Sequence, residues 1–299
     1  GPVKLSHLLA VGLGLTEQAA VIIKGVKHSG KEELRIKGLT KEGVEEPVTV
    51  ADTLSNKVFV NGFRNHFNGV SVLSEETEPE KDDSGVDTPQ LPDGLKLDPD
   101  HWLDLSRVLV IIDPLDATKE FGEDLLDYVT TMVCIVYDGK PIAGIINQAN
   151  DKPPVVGVIP LGEEGRGVLF NRQKAAPVSK AAEHTITISR SHTGEGGNVV
   201  EKYLEGHEVL KAGGAGYKAL LVLDGEAEAY IHVTAIKSWD VCAAEAVMKA
   251  SGGGFTDIKG EPLVYSSNHD EAKLTNGIIA TASIAQQQFF VDKLDGNLS

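Results

Sequence analysis

The chain has 299 residues, of which 41% are hydrophobic and 24% charged, enough apolar material for one large domain or two adjoining ones. Its formal charge of −16 at pH 7 argues against a general binder of nucleic acid or anionic membrane, because such surfaces need a basic footprint. The two cysteines, Cys134 and Cys242, lack CxxC spacing, so they predict neither a disulfide framework nor a cysteine zinc site and read as small buried residues.

No run of 18 apolar residues and no basic-then-apolar leader is present, so no bilayer span or signal peptide is predicted. Gly1 and Pro2 read as the remnant of a cleaved tag, and more chain is expected before Val3 in the natural protein. Leu8, Leu9, Leu15, Ala19, Ile22, Ile23 and Val26 recur at helical spacing, predicting an amphipathic helix from Ser6 to Lys27 with Ser6 as its cap. Leu54, Val58, Phe63 and Phe67 predict a second helix from about Ala51 to Phe67, with Asp52 in its first turn. Val70 to Leu73 is a short strand that delivers Glu75 and Glu76. The acidic, Pro- and Gly-rich stretch from Glu78 to Asp104 reads as a mobile surface insertion.

The continuous apolar run Val108 to Ile112 is a strand buried on both faces, stopping at Asp113 and Pro114. Tyr128 to Tyr137 and Pro141 to Ile146 flank Asp138-Gly139 and form a hairpin. A polar linker spans Gln173 to Glu183. Beyond it, Thr185 to Ser189, Lys218 to Leu223, Ala229 to Val233, Trp239 to Ser251 and Ile278 to Ala280 alternate strand and helix patterns. The expectation is an antiparallel first part, residues 1–175, joined to a more α/β second part, residues 176–299.

The chemistry-bearing segment is Asp113-Pro114-Leu115-Asp116-Ala117-Thr118. It offers two carboxylates and a hydroxyl on a turn stiffened by proline, and a hard divalent cation wants such oxygen ligands held rigidly. Read alone, the segment is equally an acidic turn with Asp116 or Thr118 capping a helix. Glu75-Glu76 is alone a solvated acidic pair, and Asp52 a carboxylate favoured by a helix N-terminus. Trp239-Asp240-Val241-Cys242-Ala243-Ala244 is alone a capped helix start.

Their occurrence together in this order resembles the inositol monophosphatase superfamily, the lithium-sensitive, magnesium-dependent phosphomonoesterases, over about Ser6 to Leu294. The resemblance implies the layered αβαβα sandwich of the sugar-phosphatase type. It also implies metal ligation by Glu75, Asp113, the Leu115 carbonyl, Asp116 and Asp240, with two or three Mg²⁺ ions per site. Asp52 and Thr118 match the carboxylate and hydroxyl that activate water. Two metals about 4 Å apart clamp the attacking and leaving oxygens of an in-line displacement and acidify bound water. The sequence departs from many members at Ala117, where they carry glycine, which puts the local approach of phosphate in question.

Two later segments bear on the substrate. Ser189-Arg190-Ser191-His192 follows a strand. Ala212-Gly213-Gly214-Ala215-Gly216-Tyr217-Lys218 is a Gly-rich turn opening a helix, a place where backbone N–H groups meet anions. Alone, each is equally a plain turn and a structural histidine. They resemble the 3′(2′),5′-bisphosphate nucleotidase branch, and most closely its membrane-anchored Golgi members. That resemblance implies hydrolysis of 3′-phosphoadenosine 5′-phosphate, with Asp116, Thr118, Ser189, His192, Gly214, Lys218 and Asp240 at the substrate. It also implies a homodimer and the Golgi lumen, the alternative being the cytoplasm. Asn297-Leu298-Ser299 is a sequon compatible with a lumenal protein. The competing readings are inositol polyphosphate 1-phosphatase, which shares the carboxylates, and a catalytically silent nucleotide- or metal-binding protein. An acidic calcium-binding module leaves the Thr118 and Asp52 pairing unexplained and has no EF-hand loop.

Overall fold

The computed structural model describes residues 1–31, 33–39, 43, 45–161, 167–172, 182–191 and 193–298. Strand β1 (Pro2–Lys4) leads into helix α1 (Leu5–Ser29), a hairpin of β2 (Arg35–Leu39) and β3 (Glu45–Val48), and helix α2 (Val50–His66). Ser6 is not the cap predicted for α1. The helix begins one residue earlier, and Ser6 donates from its N–H and Oγ to Asp100, at 3.0 and 2.7 Å. By length and apolarity α1 could cross a bilayer, with a mean hydropathy of 1.4 over its most apolar window, although polar residues interrupt its apolar run. Here Leu8, Leu9, Val11, Leu15 and Ala19 are buried in a core shared with α2 and the adjoining sheet.

After β4 (Ser71–Ser74) comes the acidic stretch expected as a mobile insertion, and the structure ties it down instead. Asn56, Asn61 and Asn65 on α2 donate to the carbonyls of Thr77, Glu80, Asp82 and Ser84, and the Val86 N–H donates to His66 Nε2. These asparagines satisfy backbone groups that a segment without regular structure cannot pair internally. The stretch ends in β5 (Trp102–Asp104), which pairs antiparallel with β1.

Strand β6 (Val108–Asp116) and the short helix α3 (Thr118–Gly122) precede β7 (Thr130–Tyr137), β8 (Lys140–Gln148), β9 (Val155–Val158) and β10 (Val168–Phe170). They form a six-stranded sheet of order β10-β9-β8-β7-β6-β4, antiparallel except for the parallel β4–β6 pair. Asp138 and Gly139 turn the β7–β8 hairpin with φ of 52° and 76°, the double left-handed geometry that matches strand twist.

The remaining elements are β11 (Thr185–Ser189), α4 (Thr193–Tyr203), β12 (Glu208–Ala212), α5 (Ala215–Leu223), β13 (Ala229–His232), β14 (Ile236–Lys237), α6 (Ser238–Ala250), β15 (Gly254–Thr256), β16 (Lys273–Leu274), β17 (Ile278–Thr281) and α7 (Ile284–Leu294). A five-stranded sheet runs β12-β11-β13-β17-β15, with β12, β11 and β13 parallel. The first sheet is thus built from residues before the boundary expected at 175/176 and the second from residues after it. That boundary itself lies outside the described residues.

Packing stacks these parts in five layers. Helices α1 and α2 cover one face of the first sheet, α5 and α6 fill the space between the sheets, and α4 and α7 cover the outer face of the second. This is the αβαβα sandwich. The central core joins both parts, with Ile111, Met132 and Ile146 packed in one cluster with Leu221, Val241 and Val247. Helix α6 comes so close to the first sheet that a Cβ at Gly144 or Gly157 would stand 2.6 Å from its backbone. Only glycine leaves room for that approach.

Cys134 on β7 and Cys242 on α6 form a disulfide across this seam, correcting the expectation of two buried thiols. The pairing was illegible in sequence because 108 residues separate the cysteines.

Candidate active site

The site grows from the end of β6. The sequence predicts a strand stopping at Asp113 with a turn after it, but pairing with β7 continues to Asp116 and the register shifts by a bulge between Asp113 and Asp116. Proline is tolerated at such a bulge because the ladder is already broken there, and a bulge redirects the side chains beside it. Ala117 follows with φ of 70° and ψ of 46°, the left-handed region that costs an L-residue roughly 1–2 kcal/mol. It is the N-cap residue of α3 and has no side-chain capping bond. Asp116 does not cap α3 either, since its Oδ2 accepts from Gly216 N–H at 3.0 Å and Thr130 Oγ1 at 3.4 Å.

Helix α6 brings Asp240 to the same place, with Oδ2 accepting from Lys237 N–H at 3.2 Å. One carboxylate oxygen from each of Asp113, Asp116 and Asp240 lies within 4.8 Å of the others. Both oxygens of Asp113 are buried, and neither has a hydrogen-bond partner among the described residues. Burial first, then the charges of Glu75, Asp116 and Asp240, push the Asp113 carboxyl well above its usual range. Asp240 moves the same way through burial, Asp116 and Glu75, and burial takes Asp116 to about 6. Orphaned, mutually repelling buried carboxylates fit a divalent cation, which would satisfy their lone pairs and cancel their repulsion.

Glu75 follows β4, its N–H donating to Ile112 O at 3.2 Å. Its Oε1 accepts from Lys37 Nζ at 2.9 Å, and Glu76 Oε1 accepts from the same ammonium at 2.6 Å. Burial alone would lower the Lys37 pKa, but the attraction of Glu75 and Glu76 raises it overall. Sequence reasoning missed Lys37, and a lone lysine in a hairpin carries no signal of the fold-dependent contact.

Thr118 and Asp52 stand together, as the resemblance implies. Thr118 Oγ1 donates to Asp52 Oδ1 at 2.7 Å and lies 3.2 Å from the Leu115 carbonyl. Asp52 Oδ2 accepts from the Thr49 N–H and Oγ1, at 2.7 and 2.6 Å, a capping box at the start of α2. Burial raises the Asp52 pKa against these hydrogen bonds. Thr49 was also missed, although Thr49-x-x-Asp52 before an apolar periodic run is a readable capping signature.

The substrate-side residues fall at the C-terminal ends of parallel strands, Ser189 closing β11 and Gly214 following β12, where open α/β sheets bind ligands. Gly214 has φ of 74°, and a Cβ there would lie 2.6 Å from Tyr128 O and 3.2 Å from Asp116 Oδ2. Lys218 is buried, its Nζ donating to Gly214 O at 2.8 Å and Ala212 O at 3.3 Å. Burial lowers its pKa to about 8 against the pull of Asp116, Glu120 and Asp240. It therefore braces the Gly-rich turn from behind. His192 lies outside the described residues.

The sequence model described as the inositol monophosphatase family matches residues 4–290. The chain belongs to the inositol monophosphatase family. It is 37% identical over 276 residues to Inositol monophosphatase 3 of Xenopus laevis, covering 89% of this chain and 76% of that protein. It is 32% identical over 297 residues to the Golgi-resident adenosine 3',5'-bisphosphate 3'-phosphatase of Rattus norvegicus, covering 96% and 80%. Its fold is shared with the extragenic suppressor protein suhB of Bartonella henselae, at a TM-score of 0.68 and 17% identity over 97% of this chain and 98% of that one. This family member is an enzyme, a phosphoric monoester hydrolase acting on small phosphate esters, in a magnesium-dependent family.

Proposed function

We propose that this phosphatase removes the 3′-phosphate of adenosine 3′,5′-bisphosphate, leaving AMP and phosphate. The observation that carries this reading is the juncture at Asp116, whose carboxylate ties the acidic cluster to Gly216 at the start of α5. On this reading Ser189 and the Gly214 turn, at neighbouring strand ends, would meet the second phosphate and the ribose. The 32% identity to a phosphatase named for this substrate points the same way.

Glu75, Asp113, the Leu115 carbonyl, Asp116 and Asp240 would hold magnesium. Bound there, the ions would neutralise the phosphate dianion and acidify the attacking water. Thr118 Oγ1, its proton committed to Asp52 Oδ1, keeps its lone pairs for a water proton. As that proton arrives, Thr118 passes its own to Asp52, which acts as general base. Burial keeps this carboxylate basic enough for the task, and Thr49 holds its other oxygen still.

The 37% identity to proteins named Inositol monophosphatase 3 favours a second reading, an inositol phosphate as substrate. Phosphate release with magnesium from adenosine 3′,5′-bisphosphate, inositol 1,4-bisphosphate and inositol 1-phosphate, with and without lithium, separates the two. Faster lithium-sensitive release from the nucleotide supports the proposal, whereas preference for either inositol ester overturns it. The Golgi lumen is the proposed location. The disulfide fits an oxidising compartment, and the rat relative is named Golgi-resident. The proposed homodimer is checked by analytical ultracentrifugation.

A further inference from the structure

The parallel strands β12, β11 and β13 lie side by side, and the residues just before their first positions are His207, His184 and Glu228. Parallel pairing therefore gathers two imidazoles and a carboxylate at the N-terminal edge of the sheet. The strands leave toward Ser189 and Gly214 at the opposite edge, so the length of β11, about 16 Å at 3.3 Å per residue, separates this cluster from the catalytic side.

Local bonds aim the three groups at one another. His207 Nδ1 lies 3.0 Å from the Leu204 carbonyl, which can only accept, so Nδ1 carries the proton and a neutral ring keeps its lone pair on Nε2. That nitrogen stands 3.7 Å from Glu228 Oε2. The His184 N–H fixes the same oxygen at 3.0 Å, and Gln286 Nε2 donates to Oε1 at 3.4 Å. His184 takes a φ of 65°, a conformation for which a non-glycine residue needs a reason. Its ring meets that of His207 edge to face at 5.3 Å, and Phe290 walls His207 from the protein side at 5.7 Å.

We propose that His184, His207 and Glu228 form a binding site for a zinc-like divalent transition metal, separate from the magnesium-type carboxylate cluster. One ligand atom from each lies within 4.8 Å of the others. A tetrahedral zinc with ligand bonds near 2.0–2.1 Å asks for about 3.3 Å between ligands. The His207–Glu228 edge is nearly there, and the exposed His184 ring is free to turn inward. Two imidazoles and one carboxylate suit zinc where an all-oxygen set suits magnesium. The carbonyl on His207 Nδ1 and the donors on Glu228 are the outer partners that orient such ligands.

The test is zinc titration of the chelator-stripped full chain in competition with a chromophoric indicator, magnesium being present in excess. It is run on the wild type, on Asp113→Asn to weaken the catalytic cluster, and on His184→Ala, His207→Ala and Glu228→Gln. The expected result is one zinc equivalent retained in Asp113→Asn, with affinity falling in the His variants by at least the roughly 10–100-fold that loss of an outer partner alone costs. Cobalt should give a visible ligand-field band that His184→Ala removes. His184 is exposed, so its variant stays informative if His207→Ala fails to fold. No zinc uptake in Asp113→Asn, or uptake unchanged in His184→Ala and Glu228→Gln, would overturn the proposal and leave a hydrogen-bonded His and Glu pair.

Discussion

Replacing Thr118 by valine removes one oxygen while nearly keeping the side chain's shape. The lost bond is the 2.7 Å contact from Thr118 Oγ1 to Asp52 Oδ1, with both residues buried. Hydrogen bonds to ionisable groups contribute about 1.5–3 kcal/mol. The folded state should therefore lose about 2 kcal/mol, a fall of about 3 °C in Tm for a chain this size. The effect on kcat should be larger, because valine also interrupts the proton path to Asp52. A general base contributes roughly 10²–10⁴-fold, and the Thr118→Val loss should fall in that range. Thr118→Ser keeps the hydroxyl and should stay within a few-fold of wild type. Because Thr118 and Asp52 act as a unit, the double variant Thr118→Val/Asp52→Asn should lose little more activity than either single variant. Phosphate release at saturating magnesium measures kcat, and a magnesium-induced rise in Tm shows that the metal site survives. A Thr118→Val enzyme within fivefold of wild type, or losses that multiply in the double variant, would refute the relay.

Ala117→Gly should raise stability by about 1 kcal/mol or less, because relief of a left-handed cost of roughly 1–2 kcal/mol is partly offset by glycine's unfolded-state entropy; a lower denaturation midpoint would contradict the strain. In metal-free protein Asp116 titrates near 6 against an ordinary 3.8, so the folded state holds its proton longer than the unfolded chain does. Its stabilising contribution, about 3 kcal/mol, is complete below the unfolded value and is lost as pH rises through about 6. Melting curves in chelator should therefore show wild type losing stability relative to Asp116→Asn between pH 4 and 7, and no convergence or divergence of the two would contradict this. Reduction of the Cys134–Cys242 disulfide frees a loop of 108 residues, which the chain-entropy treatment values at about 4–5 kcal/mol. A reductant should lower Tm by about 7 °C, and two titratable thiols in the unreduced, denatured protein would disprove the bond.

The alternation of strand and helix patterns and the buried run Val108 to Ile112 were local features, so they sufficed for an antiparallel first part and a more α/β second part, while the layered sandwich and the grouping of the acidic motifs came only from the family resemblance. Periodicity and turn chemistry act over a few residues, and one linear pass registers them. What lay beyond it depends on approach in space. Lys37 reaches Glu75 and Glu76 only because a hairpin folds across the site, and Cys134 finds Cys242 only because α6 seats on Gly144 and Gly157. Asn56, Asn61 and Asn65 hold the acidic stretch only because α2 runs beside it. Lys218 read as a charge offered to phosphate, yet the helix it sits on turns it inward to the carbonyls of Ala212 and Gly214. Burial and orientation are properties of packing, and a chain declares its side chains before it decides which of them will meet.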